Sequence, residues 1–250
     1  MSLVNFRDPA AQTDPEAALL RAGVLHRSAQ PFPAADAATV EQLRTAGIRT
    51  VVDLRGDAER TPEDWAAVTA AGIDVVEAPI DPSSPELEAR MATMTTAADL
   101  GAFYVLMAEG APAGVVAAVL AATRPGGVLL HCAAGKDRTG FVTALLLDLL
   151  GVPADRIVED YARTGDALEQ IWAGLAERHR EALNDVERGA LKVPAPLLEA
   201  PAGAMAAFLD TVQARHGGAR GFLLELGVAP ETLDAFLAKA APAATAGAVR

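Results

Sequence analysis

Cys132 and Arg138 stand six positions apart in the string His131-Cys132-Ala133-Ala134-Gly135-Lys136-Asp137-Arg138-Thr139-Gly140. A free thiol ionises near ~8.5, and a helix N-terminus with nearby cations brings that to roughly 3.5–7.5. A guanidinium offers a planar fork that matches two phosphoryl oxygens. A loop whose backbone N–H groups turn inward, ahead of a helix, is an anion cradle. Together these parts suit phosphoryl transfer through a covalent cysteinyl-phosphate. The bland alternative for Cys132 is an inert core thiol, and for Arg138 a surface ion pair.

The cradle needs a strand before it and a helix after it. Gly127-Val128-Leu129-Leu130 reads as a buried strand, and residues 141–150 as a buried apolar helix. Further strands are expected at 24–27, 48–54 and 73–80. Helices are expected at 33–46, at 62–72 with Thr61 as N-cap, and over 86–124 with a break near 110–112. Strands separated by helices imply right-handed crossovers and an α/β fold, a mostly parallel central sheet flanked by helices. In such sheets ligands sit at the carboxyl ends of the strands. That edge would gather Arg55, Asp81 and the Cys132 loop.

A short helical piece is expected around 15–21, and an apolar stripe from Ile157 to Val186 predicts a long helix broken or bent at Gly165 and Gly174. Helices around 197–215, 221–226 and 230–240 follow, and residues 240–250 read as a frayed tail.

Composition narrows the partners. A net charge of -12 argues against nucleic acid and anionic membrane surfaces, although one Lys and one Arg still make a local positive funnel. The single cysteine permits no internal disulfide and no resolving partner for redox chemistry. No signal peptide is visible, and the longest apolar run falls short of the ~20 residues of a membrane helix. The expectation is a cytoplasmic protein with no integral membrane segment. Nothing in the sequence fixes its oligomeric state.

With the Cys-x5-Arg-Thr spacing in view, the chain resembles the bacterial branch of the cysteine-dependent protein tyrosine phosphatases whose members also accept phosphoinositides. Asn5-Phe6-Arg7-Asp8, Gly23-Val24-Leu25-His26-Arg27-Ser28, residues 47–55 with Glu59, and the pieces Gly221-Phe222-Leu223 and Leu226-Gly227-Val228 are similar to that branch as well. After Arg7-Asp8 the branch usually continues Leu-Gly-Gly, where this chain has Pro9-Ala10-Ala11.

The resemblance implies one phosphatase domain over 1–250, within which 155–215 form a helical, lid-like extension. It implies hydrolysis of phosphomonoesters with no cofactor and no metal, on a phosphotyrosine protein or a phosphoinositide. A catalytically silent phosphate-binding module is the alternative of another class.

Cys132 is then the nucleophile and Arg138 the clamp. Ala133, Ala134, Gly135 and Lys136 bind substrate, with Gly135 adopting a positive φ and Lys136 adding charge at the pocket rim. Thr139 is expected to donate to the leaving sulfur, and His131 to buttress the loop. The general acid lies between Asp81, on the loop after a strand, and Asp137, inside the cradle. Asp81 is favoured, with Asp137 ordering substrate or loop. Asp53 and Arg55 are read as supporting, Arg55 pairing with Glu59.

Overall fold

In a computed structural model that describes residues 2–12, 19–81, 83–178 and 194–242, four strands form one parallel sheet. They are β1 (Leu25–Ser28), β2 (Ile48–Asp53), β3 (Asp74–Glu77) and β4 (Gly127–His131), in the spatial order β1-β4-β2-β3. The registers pair Ser28 with His131, His131 with Asp53, and Asp53 with Glu77. The carboxyl ends of all four strands therefore line up along one edge, and Cys132 is the first residue beyond it.

Alternation along the central strands assigns the two faces. Val51 and Leu129 point to one side, where they pack with Leu43, Trp65, Val68 and Ile73. Those residues come from α1 (Ala37–Thr45), α2 (Ala66–Ala70) and the turns beside them. Val52, Val128 and Leu130 point to the other side, into the main core. That core is built from α4 (Ala97–Gly110), α5 (Pro112–Ala122), α6 (Asp137–Leu149), α7 (Ala154–Ala162) and α10 (Ala202–His216), closed by α11 (Ala219–Glu225) and α12 (Pro230–Ala240). The short α3 (Pro85–Ala92) starts at Ser84, whose hydroxyl accepts from Leu87 N at 3.2 Å. A strand buried on both faces reads as a continuous apolar run, which is why β4 was legible, while β2 was legible from its β-branched Ile48, Thr50, Val51 and Val52.

The expected α/β architecture with a mostly parallel sheet is what the chain adopts. Several boundaries differ. The helix expected over 62–72 begins only at Ala66, because Thr61 does not cap it: Thr61 instead donates its N–H and hydroxyl to the Asp64 carboxylate. The strand expected over 73–80 is regular only over Asp74–Glu77, although Ala78 N and Ile80 N still donate to Asp53 O and Leu54 O at 2.9 and 3.0 Å.

The long helix breaks at Gly165 as expected, through a 3-10 turn (Arg163–Ala167) into α8 (Leu168–Arg178). Gly174 does not bend α8; a Cβ there would lie 2.6 Å from Phe32 Cγ, so the glycine makes room for that ring. The piece expected at 15–21, the end of the stripe at Leu183 and Val186, and the last residues of the tail fall wholly or mostly outside the described residues.

Helices α7 and α10 belong to the main core, whereas α8 brings Ile171 against Ala29 and Ala134 of the Cys132 loop. The short α9 (Ala195–Leu198) lies beside it in the chain order. Among the described residues no single helix is long and apolar enough to cross a membrane. Only α4 and α5 in tandem meet the test, and they are bent by 87°.

Helices α4 and α10 approach closely at Gly101, where an added Cβ would lie 2.5 Å from Ala204 O. Alanine gains up to about 1 kcal/mol over glycine in helix propensity, but overpacking here costs about 1–3 kcal/mol. Gly101→Ala is therefore expected to lower the urea midpoint; an unchanged or higher midpoint would show that the two helices separate freely.

Candidate active site

The loop from Cys132 to Lys136 bends between the end of β4 and the start of α6. Helix α6 has no side-chain N-cap, so its first-turn N–H groups face the loop rather than a capping oxygen. Gly135 takes a φ of +65°, and a Cβ there would stand 2.2 Å from Ser28 O. Only glycine serves at this bend, both for its dihedral and for the closeness of β1.

The loop's carbonyls are held from outside. Gln30 N donates to Ala133 O at 3.1 Å, and Asn5 Nδ2 to Gly135 O at 3.1 Å. Arg27 Nη2 donates to Gly135 O at 2.9 Å. Arg27 is itself buried and ion-paired to Asp160 at 2.6 Å, and Arg7 reaches the same carboxylate at 2.7 Å. Burial opposes the Asp160 charge, but the two guanidinium groups outweigh it and hold the carboxyl below its usual range. The N-terminal stretch thus packs under the loop despite its Pro-Ala-Ala continuation, with Arg7 and Arg27 also bridged backbone to backbone.

Cys132 is 2% exposed. Arg138 receives a bidentate clamp from Glu59, Nη1 to Oε2 at 2.5 Å and Nη2 to Oε1 at 2.8 Å. Burial works against the guanidinium charge, yet Glu59 and the fields of Cys132 and Asp137 raise its pKa further. Glu59 is correspondingly held below the usual carboxylate range, burial notwithstanding. Thr139 Oγ1 is buried with no hydrogen-bond partner among the described residues.

Beneath the loop, Trp65 Nε1 donates to His131 Nε2 at 3.1 Å. An indole N–H can only donate, so the His131 proton belongs on Nδ1, which lies 3.2 Å from Cys132 O. Asp53 Oδ2 stands 3.5 Å from His131 and 2.6 Å from Arg55. Burial pushes the Asp53 carboxyl up, but the Arg55 guanidinium, donating through Nε and Nη2, carries it well below the usual range.

Two sequence expectations are corrected here. Arg55 does not pair with the Glu59 carboxylate: it pairs with Asp53 and Asp64, and takes only the Glu59 carbonyl, at 3.2 Å. Arg138 has claimed that carboxylate instead. Lys136 is not at a rim: its side chain is fully buried, and its ammonium donates to the carbonyls of Leu197 and Glu199.

The two candidate acids occupy different settings. Asp81 is exposed, and its Oδ1 accepts the N–H of Ser83 at 2.9 Å and its hydroxyl. The Ser83 hydroxyl draws the Asp81 carboxyl below its usual range against slight burial, and Arg138 adds to the effect. Asp137 begins α6, with Tyr104 O–H donating to its Oδ1 at 2.6 Å and Lys136 Nζ 3.4 Å away.

Sequence reasoning did not single out Gln30, Asp64, Trp65, Tyr104, Asp160 or Tyr161, nor Arg178, which forks onto Asp64 at 2.8 and 2.9 Å. An arginine inside the strand expected at 24–27 was the available signal, since a guanidinium buried in a sheet requires a carboxylate. Among the described residues no group of three or more His, Cys, Asp or Glu side chains is arranged to hold a metal ion.

Asp53, Glu59, Asp64 and Asp160 are all held below their usual ranges by cations. Depressed folded values mean stability that is full above the unfolded carboxylate pKa of about 4 and is lost as pH falls below it through the folded values. The urea midpoint is therefore expected to fall steeply between pH 4 and more acid solution, and less steeply in Asp160→Asn. Equal slopes would separate this cluster from acid unfolding.

The model of a tyrosine phosphatase family matches residues 1–240. The triple specificity protein phosphatase PtpB of Mycobacterium tuberculosis is 30% identical over 265 aligned positions, covering 92% of this chain and 94% of that one. A Cupriavidus necator relative is 32% identical, with 91% and 84% covered. A tyrosine-protein phosphatase of Nostoc commune is 37% identical over 115 residues, 46% of this chain and 39% of its own. On the extent of that match, this chain belongs to the tyrosine phosphatase family, whose members are phosphatase hydrolases.

Proposed function

We propose that the chain hydrolyses phosphotyrosine in proteins, with Cys132 as nucleophile and Asp137 as the leaving-group acid. The observation that carries this reading is the convergence on one loop of Cys132, the Glu59-clamped Arg138 and an uncapped helix start. The Cys132 thiolate attacks phosphorus, and the phosphoryl group moves onto sulfur as the bond to the phenolic oxygen breaks. Arg138 and the loop amides hold the equatorial oxygens as charge develops there. Asp137 gives its proton to the departing oxygen. Water then cleaves the cysteinyl-phosphate, returning a proton to Asp137, while Thr139 donates to the leaving sulfur.

The sequence favoured Asp81 for the acid. Support for Asp137 comes from its position: it stands in the first turn of the helix that carries Arg138, next to the Cys132 loop, whereas Asp81 lies on an exposed loop with its Oδ1 turned to Ser83. Lys136, committed to two backbone carbonyls, supports a monophosphate over a multiply phosphorylated inositol headgroup. The triple specificity in the Mycobacterium relative's name makes phosphoserine and phosphoinositide the comparisons to run. A catalytic thiol works where it stays reduced, which supports a cytoplasmic location.

Cys132→Ser is expected to abolish turnover of p-nitrophenyl phosphate while retaining phosphotyrosine-peptide binding; full residual activity would overturn the mechanism. For the acid, Asp137→Asn is expected to remove the basic limb of the pH–rate profile and lower kcat/KM on phosphotyrosine peptide by about 10²-fold or more. Loss of that limb in Asp81→Asn alone would return the role to Asp81. In a panel of phosphotyrosine peptide, phosphoserine peptide and phosphoinositide vesicles, kcat/KM is expected to be highest for phosphotyrosine; a higher value on vesicles would overturn the substrate assignment.

A further inference from the structure

The chain has two tyrosines, and they meet at one carboxylate. Tyr104 comes from α4, Tyr161 from α7 and Asp137 from the first turn of α6. Tyr104 O–H lies 2.6 Å from Asp137 Oδ1, and the two phenol oxygens are 2.7 Å apart. A phenol has one proton. With that of Tyr104 given to the carboxylate, the contact between the rings is Tyr161 O–H donating to Tyr104 O.

We infer that Tyr104 and Tyr161 are positioning residues for Asp137, a two-phenol chain that occupies Oδ1 and directs the catalytic proton onto Oδ2. This rests on the reading of Asp137 as the acid and goes beyond it.

The phenols are built in rather than incidental. Tyr104 is fully buried against Phe141 and Phe208, ring centroids 6.1 and 6.2 Å away. Tyr161 lies along α6 where Gly140 has no side chain; a Cβ there would stand 2.9 Å from Tyr161 Cδ2. Burial and the Asp137 charge push both phenols upward, so they remain donors through the working pH range. The other charged groups facing this corner are Lys136 Nζ at 3.4 Å, Arg138, and Arg27 on the Tyr161 side.

An ionised Asp137 with Oδ1 already accepting takes its proton on Oδ2. It gives that proton to the leaving oxygen as the phosphorus–oxygen bond breaks, and regains one from the attacking water. The phenols keep theirs throughout. Their effect is on where the proton sits and how the carboxyl is turned.

The test compares phenyl phosphate, whose leaving group needs a proton, with p-nitrophenyl phosphate, whose leaving group needs it far less. In Tyr104→Phe the phenyl-to-p-nitrophenyl ratio of kcat/KM is expected to fall about tenfold, a fraction of the ~10²–10⁴ that a placed acid contributes. Tyr161→Phe, which leaves the Tyr104 contact in place, should lower the ratio by less, and serves alone if Tyr104→Phe does not fold. Adding Tyr104→Phe to Asp137→Asn should lower the ratio no further.

Equal losses on both substrates would reduce the tyrosines to packing and overturn the inference, as would a further loss in the double variant. Should Asp137→Asn itself keep the wild-type ratio and limb, it is the acid assignment that fails. Loss in Asp137→Asn without loss in either tyrosine variant defeats the present inference alone.

Discussion

A peptide loop binds an anion only if its carbonyl oxygens are turned away from the place its N–H groups point to. Each residue from 132 to 136 carries one of each, so the geometry of the cradle is decided on its outer side. There Gln30 N, Asn5 Nδ2, Arg27 Nη2 and His131 Nδ1 take the carbonyls of Ala133, Gly135 and Cys132. The donors come from the N-terminal stretch, the end of β1 and the end of β4. Parallel register brings the last two to the same row. What the fold contributes to the chemistry is chiefly this outward restraint.

Holding it requires charge in places where charge is costly. Arg27, Arg55, Asp53 and Asp160 are all buried, and desolvating such groups opposes folding unless they are paired with good geometry. Here they are paired in chains rather than singly. Arg7 and Arg27 share Asp160, while Arg178, Asp64, Arg55 and Asp53 connect the end of α8 to His131 at the base of the loop. Removing one member leaves a buried charge uncompensated, which costs more than the pair contributes. The arrangement specifies one loop conformation more than it adds stability.

The legible parts of the sequence were those where local chemistry and tertiary role coincide. The apolar run of β4 and the β-branched residues of β2 pointed to buried strands, and the spacing of Cys132, Gly135 and Arg138 announced the cradle and its glycine. Illegible were the contacts between residues far apart in the chain. Glu59 lies near Arg55 in sequence, yet its carboxylate goes to Arg138, 79 residues away, because Arg55 is already saturated by Asp53 and Asp64. Lys136 reads as a cation at the pocket rim until α9 and the residue after it supply carbonyls that bury it. Tyr104 and Tyr161 look like ordinary core aromatics; only the packing of α4 and α7 on α6 brings their hydroxyls to Asp137.

The account turns on a phosphoryl group resting on one sulfur between two half-reactions. Wild-type enzyme mixed with excess p-nitrophenyl phosphate and quenched within the first turnover tests it directly, by peptide mass spectrometry. A phosphate increment on the peptide that holds Cys132, formed as fast as the first equivalent of nitrophenol is released, is the predicted result. Turnover with no phosphate on that peptide, or with the phosphate on another residue, would contradict it.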